Sequence, residues 1–278
     1  MVYSDGKNMI HKDKHPLVMG IINCTPDSFY SSSRKQGLIE VLDQAREMVS
    51  DGADILDIGG ESTRPGSSFV SLEEELERVL PLIEGIRKET DIPISVDTRK
   101  SAVARGALDL GANIINDISA LRDDPEMTAL AAERDCPVCL MHMQGKPETM
   151  QKSPEYDSVV DEVLNFLLAA AASAEKAGVR KENIILDPGI GFGKRLEDNL
   201  ALIRNIGRFS DTGYSILMGL SRKSFIGQIL DLEADDRLIG SLTANGFCAS
   251  QGTDILRVHD VKETVQMLSV LQEILWKD

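Results

Sequence analysis

The sequence predicts a single (β/α)8 barrel spanning residues 1–278, with residues 1–15 as a peripheral N-terminal extension. Eight short apolar runs alternate with eight segments of helical periodicity, which is the pattern of parallel strands connected by helices. The length also suits one barrel domain. Four of the runs end on a polar residue, at the rim where barrel enzymes place their active sites; these residues are Asp97, Asn116, Asp187 and His259.

The apolar runs are predicted to be buried parallel strands, because they are short and rich in isoleucine, leucine and valine. In chain order they begin near Leu17, Asp54, Pro93, Ile114, Pro137, Ile184, Ser215 and Ile255. No linker or low-complexity tract interrupts the series, so we predict one domain.

The segments between the runs carry apolar residues at the spacing of an amphipathic helix. Helices are predicted over 38–50, 72–89, 101–110, 125–134, 156–177, 196–209, 225–230 together with 237–249, and 261–276. Ser71 followed by Glu74 is typical of a capping box, and Gly111 and Gly178 stand where helix C-terminal caps are expected. A doubly wound parallel sheet is the alternative fold for this alternation.

Composition narrows the class of protein. The formal net charge of −15, without a basic run, argues against nucleic acid as a partner. No segment approaches the roughly 20 apolar residues of a membrane span, and residues 1–15 lack the apolar region of a secretion signal. Four cysteines are too few for a disulfide framework in this chain, and we expect core thiols, not a zinc site. These features predict a cytoplasmic protein.

Asp97, Asn116 and Asp187 are the predicted ligand-binding set at the rim. A carboxylate at the end of an apolar run needs hydrogen-bond donors, because an unpaired buried charge is costly. A ring edge with adjacent N–H donors, such as an aminopyrimidinone, matches a carboxylate in two places. For Asp97 alone, a structural salt bridge or a helix N-cap is the alternative. Asp187 is the stronger candidate because a Pro-Gly pair follows it and ends the strand.

Three further segments at the rim point to ligands. Residues 189–194 look like a phosphate loop, but their spacing fits neither the dinucleotide fingerprint nor the P-loop, so we predict a tight loop presenting Phe192. Residues 221–224 precede a predicted helix, whose N-terminal amides favour an anion. Arg257 and His259 are two residues apart on a strand and therefore point the same way, which predicts a pyrophosphate clamp.

Short motifs along nearly the whole chain occur in the order of a known enzyme family. They are MGIIN with TPDSF at 19–29, DIGGESTRPG at 57–66, SVDT at 95–98, INDI at 115–118, LMHMQG at 140–145, DPGIGFGK at 187–194, SRKS at 221–224 and RVHD at 257–260. With these motifs the chain resembles the dihydropteroate synthase family of the bacterial folate pathway. The glycine loop with Ser-Thr-Arg-Pro-Gly is the most specific of them.

The resemblance implies a transferase that condenses 6-hydroxymethyl-7,8-dihydropterin diphosphate with 4-aminobenzoate, releasing pyrophosphate and 7,8-dihydropteroate. The displacement is dissociative and assisted by Mg²⁺, and no side-chain nucleophile is needed. The family is also a sulfonamide target and implies a homodimer.

The resemblance assigns roles by position. It implies a pterin pocket of Asp97, Asn116, Ile118, Met141, Asp187, Phe192, Lys223 and Arg257. It implies a diphosphate site of Asn23, Thr63, Arg64, Arg257 and His259, with Asn23 also a ligand of the substrate-bound Mg²⁺. It implies an aminobenzoate site of Phe29, Pro65 and Ser224. The catalytic residues would be Asp97, Lys223, Arg257 and His259.

One loop departs from the family pattern. Phe29 is followed by Tyr30 to Ser33, whereas the family commonly continues Ser-Asp-Gly-Gly. The missing acidic residue usually lies over the diphosphate and Mg²⁺, so we expect altered loop closure or compensation by Asp27. Two alternatives stay open at this point. A pterin-binding methyltransferase on the same barrel would share the Asp and Asn set but would not need residues 221–224 or Arg257 with His259. A non-catalytic pterin-binding protein is suggested by the altered loop alone.

Overall fold

Eight parallel strands close into a barrel in the computed structural model, which describes residues 15–24, 34–62, 70–145 and 149–275. Each strand pairs with the next along the chain, and β8 pairs back to β1. This closure confirms the predicted barrel and excludes the doubly wound sheet. The strands are β1 (Leu17–Asn23), β2 (Ile55–Gly59), β3 (Ile94–Asp97), β4 (Ile114–Asp117), β5 (Val138–Met141), β6 (Ile184–Asp187), β7 (Ser215–Met218) and β8 (Ile255–Val258).

Helices follow the strands as predicted. They are α1 (Arg34–Ser50), α2 (Leu72–Arg87), α3 (Ser101–Asp109), α4 (Pro125–Arg134), α5 (Val159–Lys176), α6 (Leu196–Arg204), α7 (Ile206–Ser210), α8 (Ser224–Leu230), α9 (Leu238–Ser250) and α10 (Val261–Leu275). The single helix predicted over 196–209 is wrong, because Asn205 leaves helical geometry and separates α6 from α7. None of these helices combines the length and apolar composition that a membrane crossing requires.

Helix ends agree in part with the sequence signals. The Ser71 hydroxyl caps α2 by accepting from the Glu74 amide at 3.2 Å. The reciprocal half of the capping box is not formed, because the Glu74 carboxylate pairs with Arg78 instead. Gly111 and Gly178 follow α3 and α5 with φ of 100° and 106°, which is the left-handed geometry expected after a helix.

The core has two parts, and the part inside the barrel determines where the site can lie. Aliphatic side chains between the strands and the helices form the larger part. Inside the barrel, seven residues form an apolar layer, which we call the interior plug: Met19, Ile55, Ile114, Cys139, Ile185, Leu217 and Ile255. The plug fills the lower interior, so a ligand has room only towards the carboxyl ends of the strands. All four cysteines are free and buried, as expected for core thiols.

Candidate functional site

Polar side chains from five strands form a second interior layer directly above the plug. Side chains two residues apart on a strand point to the same side, so Asp57 follows Ile55 inward, and Arg257 follows Ile255. The layer contains Asp57, Asp97, Asn116, Asp187 and Arg257, and its four acidic and amide side chains are at most 7% exposed. The structure therefore brings the three predicted rim residues together.

Arg257 bridges two carboxylates across the barrel. Its Nε donates to Asp57 Oδ2 at 2.6 Å, and its Nη2 donates to Asp97 Oδ2 at 2.8 Å. Asn116 Nδ2 approaches Asp57 Oδ2 at 3.3 Å. One guanidinium thus serves two buried carboxylates, and this group of Asp57, Asp97 and Arg257 is hereafter the ion triad.

Two members of the ion triad, Asp97 and Arg257, have shifted pKa values. Burial raises the pKa of Asp97 to about 7; Arg257 opposes this rise, and Asp57 adds to it. Burial lowers the pKa of Arg257, but Asp57 and Asp97 outweigh it and hold the pKa above its usual value. Two like charges sharing one cation make the protonation of one carboxyl easier, which agrees with the direction for Asp97.

Asp97 does not cap a helix, so the N-cap half of the alternative for this residue is wrong, whereas its salt bridge is formed with Arg257. The N-cap position of α3 is Lys100, and it makes no side-chain cap. The amide of Ser101 instead donates to Asp124 Oδ2 at 2.7 Å. Asp97 therefore belongs to the interior layer alone.

Asp187 and Lys223 form the second charged part of the site. Asp187 Oδ1 accepts from the Gly189 amide at 2.7 Å, and burial raises the pKa of Asp187 while Lys223 lowers it. Lys223 Nζ lies 4.5 Å from the centre of the Phe192 ring and donates to the Ile190 carbonyl. Burial lowers the pKa of Lys223 to about 8, partly offset by Asp187. Lys223 is therefore a partly desolvated cation of the site and not a freely solvated one.

The loop 189–193 is tight, as predicted, and it presents Phe192. The ring packs beside buried Ile118, Met141, Met143 and Met150. This apolar wall lies next to Asp187 and Lys223. An apolar wall beside carboxylates and an ammonium suits a flat heterocycle with polar edges.

Arg257 and His259 make different contacts. Arg257 reaches inward to the ion triad, whereas His259 lies at the rim, where its amide donates to Ser221 Oγ at 3.2 Å and its Nδ1 lies 3.1 Å from the same oxygen. Ser224 is the exposed first residue of α8. Asn23 is exposed at the end of β1. The predicted residues Phe29, Thr63, Arg64 and Pro65, and the altered segment Tyr30 to Ser33, lie outside the described residues.

Sequence reasoning missed an ionic network at the base of the loop after β2. Glu61 accepts from Arg99 and from Lys100, each at 2.9 Å. Lys100 also pairs with Glu75, which is fully buried in α2. The Arg78 guanidinium donates to the Gly60 carbonyl at 2.7 Å. These contacts hold Gly60 and Glu61 in place just after β2.

Asp57 was also missed as a site residue, although it stands within a matched motif. It is a lone acid inside the buried run of β2 and is fully buried. A charge at that position requires an inward partner, and the only described strand with an inward cation is β8. That signal points to Arg257.

Comparisons with known proteins agree with this geometry. A family model described as pterin binding enzyme matches residues 19–259. The chain is similar to the dihydropteroate synthase of Escherichia coli (strain K12), with 48% identity over 261 residues, covering 94% of this chain and 92% of that protein.

Solved structures are similar over the same range. The Xanthomonas albilineans dihydropteroate synthase with 4-aminobenzoic acid has a TM-score of 0.89 and 43% identity, covering 95% of each chain. The Yersinia pestis dihydropteroate synthase with a sulfonamide drug complex has a TM-score of 0.88 and 43% identity, covering 94% of each chain.

Proposed function

This chain belongs to the dihydropteroate synthases of the pterin-binding enzyme family, and we propose how its barrel mouth performs their condensation. The substrates are 6-hydroxymethyl-7,8-dihydropterin diphosphate and 4-aminobenzoate, and the products are 7,8-dihydropteroate and pyrophosphate. The observation that carries the assignment of roles is the buried layer of Asp97, Asn116 and Asp187 beside Lys223, directly above the interior plug.

The pterin ring is proposed to bind in this layer. The Asp187 carboxylate accepts from adjacent N–H groups of the ring, Asn116 offers both an acceptor and a donor, and Lys223 donates to a ring acceptor. Phe192 and Met141, with Ile118, contact the ring through apolar surface. In this binding mode the polar edges of the pterin ring meet hydrogen-bonding side chains, and its faces meet apolar side chains that exclude water.

The reaction is a displacement at the pterin methylene carbon. The bond from this carbon to the diphosphate oxygen breaks, and its electron pair leaves with pyrophosphate. The bond to the aminobenzoate nitrogen then forms, and that nitrogen loses a proton. Asp97 supplies negative charge near the electron-poor carbon, while Arg257 and His259, with Asn23, Thr63 and Arg64, stabilise the departing diphosphate.

Aminobenzoate is proposed to bind at the outer rim. Ser224 is exposed at the start of α8 and offers a hydroxyl and an amide to the carboxylate of this substrate. Phe29 and Pro65 are proposed to flank its ring. We propose that a sulfonamide drug, the kind of molecule named in the Yersinia pestis complex, competes for the same place.

Mg²⁺ is proposed to bind together with the substrate diphosphate. The exposed Asn23 offers an amide oxygen, and Mg²⁺ prefers oxygen ligands, retained waters and substrate phosphates. Among the described residues no three histidine, cysteine or acidic side chains are placed to hold a metal. A single amide oxygen, from Asn23, suits an ion that the substrate diphosphate brings with it. When bound, Mg²⁺ would neutralise charge on the leaving group.

Pyrophosphate release tests the proposed function. Purified protein is mixed with both substrates and Mg²⁺, and pyrophosphate is measured with each component omitted in turn. We expect release only in the complete mixture, with an equal amount of 7,8-dihydropteroate. Binding of the pterin without release would favour a non-catalytic protein. In a separate assay that supplies a methylated pterin donor and an acceptor, loss of the donor's methyl group to the acceptor would favour a methyltransferase.

We expect a bell-shaped dependence of kcat/KM for the pterin substrate on pH. Asp97 gains a proton below about pH 7 and loses its negative charge, so activity falls on the acid side. Lys223 loses its proton above about pH 8 and loses its positive charge, so activity falls on the alkaline side. Initial rates across this range give the profile. Asp97→Asn should remove the acid limb and Lys223→Met the alkaline limb; unchanged limbs in both variants would contradict the assignment.

We propose that the protein is a homodimer and that it is located in the cytoplasm. The four free buried thiols suit a reducing compartment. Exposed apolar side chains occupy neighbouring stripes of α9 and α10, which pack against each other: Ile239, Phe247, Val270 and Ile274. An apolar patch on the surface of a chain with a net charge of −15 is unusual and marks a contact surface. We propose that a second copy of the chain covers this patch, with the two patches facing each other.

Substitution within this patch tests the dimer. We expect Ile239→Glu and Ile274→Glu each to raise the dimer dissociation constant at least tenfold, because a carboxylate would be buried in the apolar contact. Sedimentation velocity over a dilution series measures this constant. Ile39→Glu is the matched control, since Ile39 is similarly exposed on α1. Equal behaviour of all three variants would place the interface elsewhere.

A further inference from the structure

Lys194 is a buried lysine whose amine is bonded to backbone groups of two loops. The residue is 3% exposed. Its Nζ donates to the carbonyl oxygens of Gly189 at 2.9 Å, Phe192 at 3.1 Å and His142 at 3.3 Å, and it lies 2.9 Å from His142 Nδ1. Among the described residues no carboxylate lies within salt-bridge distance of it. The amine therefore joins the loop after β6 to the loop after β5.

The loop 189–193 depends on such a cross-link because its own backbone is permissive. Gly189 and Gly193 have φ of 67° and 64°, a region that glycine enters freely. Both positions also pack closely on the neighbouring loop, since a Cβ at Gly193 would lie 2.7 Å from the Gln144 carbonyl oxygen. The Tyr156 hydroxyl adds one bond, to the Gly193 carbonyl at 2.8 Å.

The loop 189–193 in turn holds the side chain of Lys223 in place. The Ile190 carbonyl accepts from the Lys223 ammonium, and the Phe192 ring lies beneath it. Among the described residues Lys194 forms no hydrogen bond or ion pair with Lys223 or Asp187, although it lies within electrostatic range of both. Its amine bonds Gly189 and Phe192, which stand before and after Ile190 in the loop. Displacement of the loop would move the carbonyl and the ring together.

We propose that Lys194 is a positioning residue for pterin binding, which fixes the loop 189–193 so that Ile190 and Phe192 hold Lys223 beside Asp187. The proposal rests on the proposed function, in which Lys223 and Asp187 bind the pterin. It gives a role to a lysine whose motif resembles a phosphate loop but whose amine is enclosed by carbonyl groups.

A double-mutant cycle on Lys194→Met and Lys223→Met tests the proposal. The readout is the dissociation constant of 6-hydroxymethylpterin, measured by calorimetry. We expect each single variant to weaken binding at least tenfold, and the double variant to bind no more weakly than Lys223→Met, because both changes remove the same interaction. Deuterium uptake of the loop 189–193 should rise in Lys194→Met.

Controls separate positioning from a general loss of structure. Lys181 lies just before the amino end of β6, away from the rim, and its ammonium is 4.7 Å from the centre of the Tyr214 ring. Lys181→Met should therefore leave pterin affinity unchanged. If Lys194→Met does not fold, Tyr156→Phe removes a single loop bond, and we expect about threefold weaker binding that disappears in the Lys223→Met background.

Two outcomes would overturn the proposal. One is wild-type affinity in Lys194→Met while Lys223→Met is weakened. The other is a double variant weakened by the product of the single effects, which would mean that Lys194 acts independently of Lys223. Wild-type affinity in Lys223→Met would instead overturn the pterin pocket of the proposed function, so the two failures are distinct.

Discussion

Asp187→Asn lowers the rate of pyrophosphate release at least tenfold in our expectation, equivalent to about 1.4 kcal/mol or more of the barrier. The carboxylate offers only acceptors, whereas the amide presents an NH₂ group to the donor edge of the pterin ring. The variant should keep the Gly189 amide bond through its remaining oxygen, so the loop is preserved. Initial rates at saturating and limiting pterin substrate measure the effect.

A second variant and a control sharpen this result. Lys223→Ala should also lower the rate at least tenfold, because it removes the only described cation beside Asp187 other than the deeper Lys194 and Arg257. Asp54→Asn is the matched control, since Asp54 is a buried carboxylate that accepts from the Val18 amide at the start of the barrel. Near wild-type turnover in both site variants would remove Asp187 and Lys223 from the pocket.

Arg257→Met is expected to lower the free energy of unfolding by about 3 kcal/mol, besides weakening pyrophosphate binding. Removing one partner of a buried ion pair leaves an uncompensated charge, and here two carboxylates lose one guanidinium. Asp57 is fully buried and Asp97 nearly so, which limits screening by solvent. Urea denaturation followed by circular dichroism measures stability, and calorimetry measures pyrophosphate affinity.

The loss of stability in Arg257→Met should depend on pH, because it comes from buried carboxylates left without their guanidinium. Burial already raises the pKa of Asp97, and removal of Arg257 should raise it further. A carboxyl with a raised pKa destabilises the fold progressively as pH rises, so the stability deficit of Arg257→Met should shrink on acidification. Adding Asp57→Asn should recover part of the loss at neutral pH.

Arg46→Met is the control for the loss of an arginine. Arg46 pairs with Glu89 at 2.6 Å, but both side chains are well exposed, so its removal should change stability little. Equal stability of Arg46→Met and Arg257→Met would show that the ion triad contributes no more than a surface pair. Unchanged pyrophosphate affinity in Arg257→Met would exclude Arg257 from the diphosphate site.

The sequence predicted the barrel and the position of the site because both depend on local pattern. Apolar runs such as Ile184–Asp187 are short, and each ends on its functional residue, so the common rim follows from parallel strands alone. The set of Asp97, Asn116 and Asp187 was found for that reason. The end of α6 at Asn205 was missed because the apolar periodicity continues through Ile206 into the next helix.

Cross-barrel contacts could not be predicted from local pattern. Asp57 lies on β2 and Arg257 on β8, and β1 separates these strands in the sheet. Their contact exists only because the barrel closes and points both side chains inward. Lys194 is similar: its spacing excluded a phosphate loop, but only the packing of the loops after β5 and β6 shows that its amine is buried.

The interior plug also bears on the order in which molecules enter and leave the barrel. Because Met19, Ile185 and their neighbours fill the lower barrel, a ligand has room only above them, towards the carboxyl ends of the strands. In the binding sites that we propose, the pterin lies directly above the plug and the aminobenzoate lies nearer the rim. We therefore expect the pterin substrate to bind before the aminobenzoate, and the joined product to leave with its pterin end last.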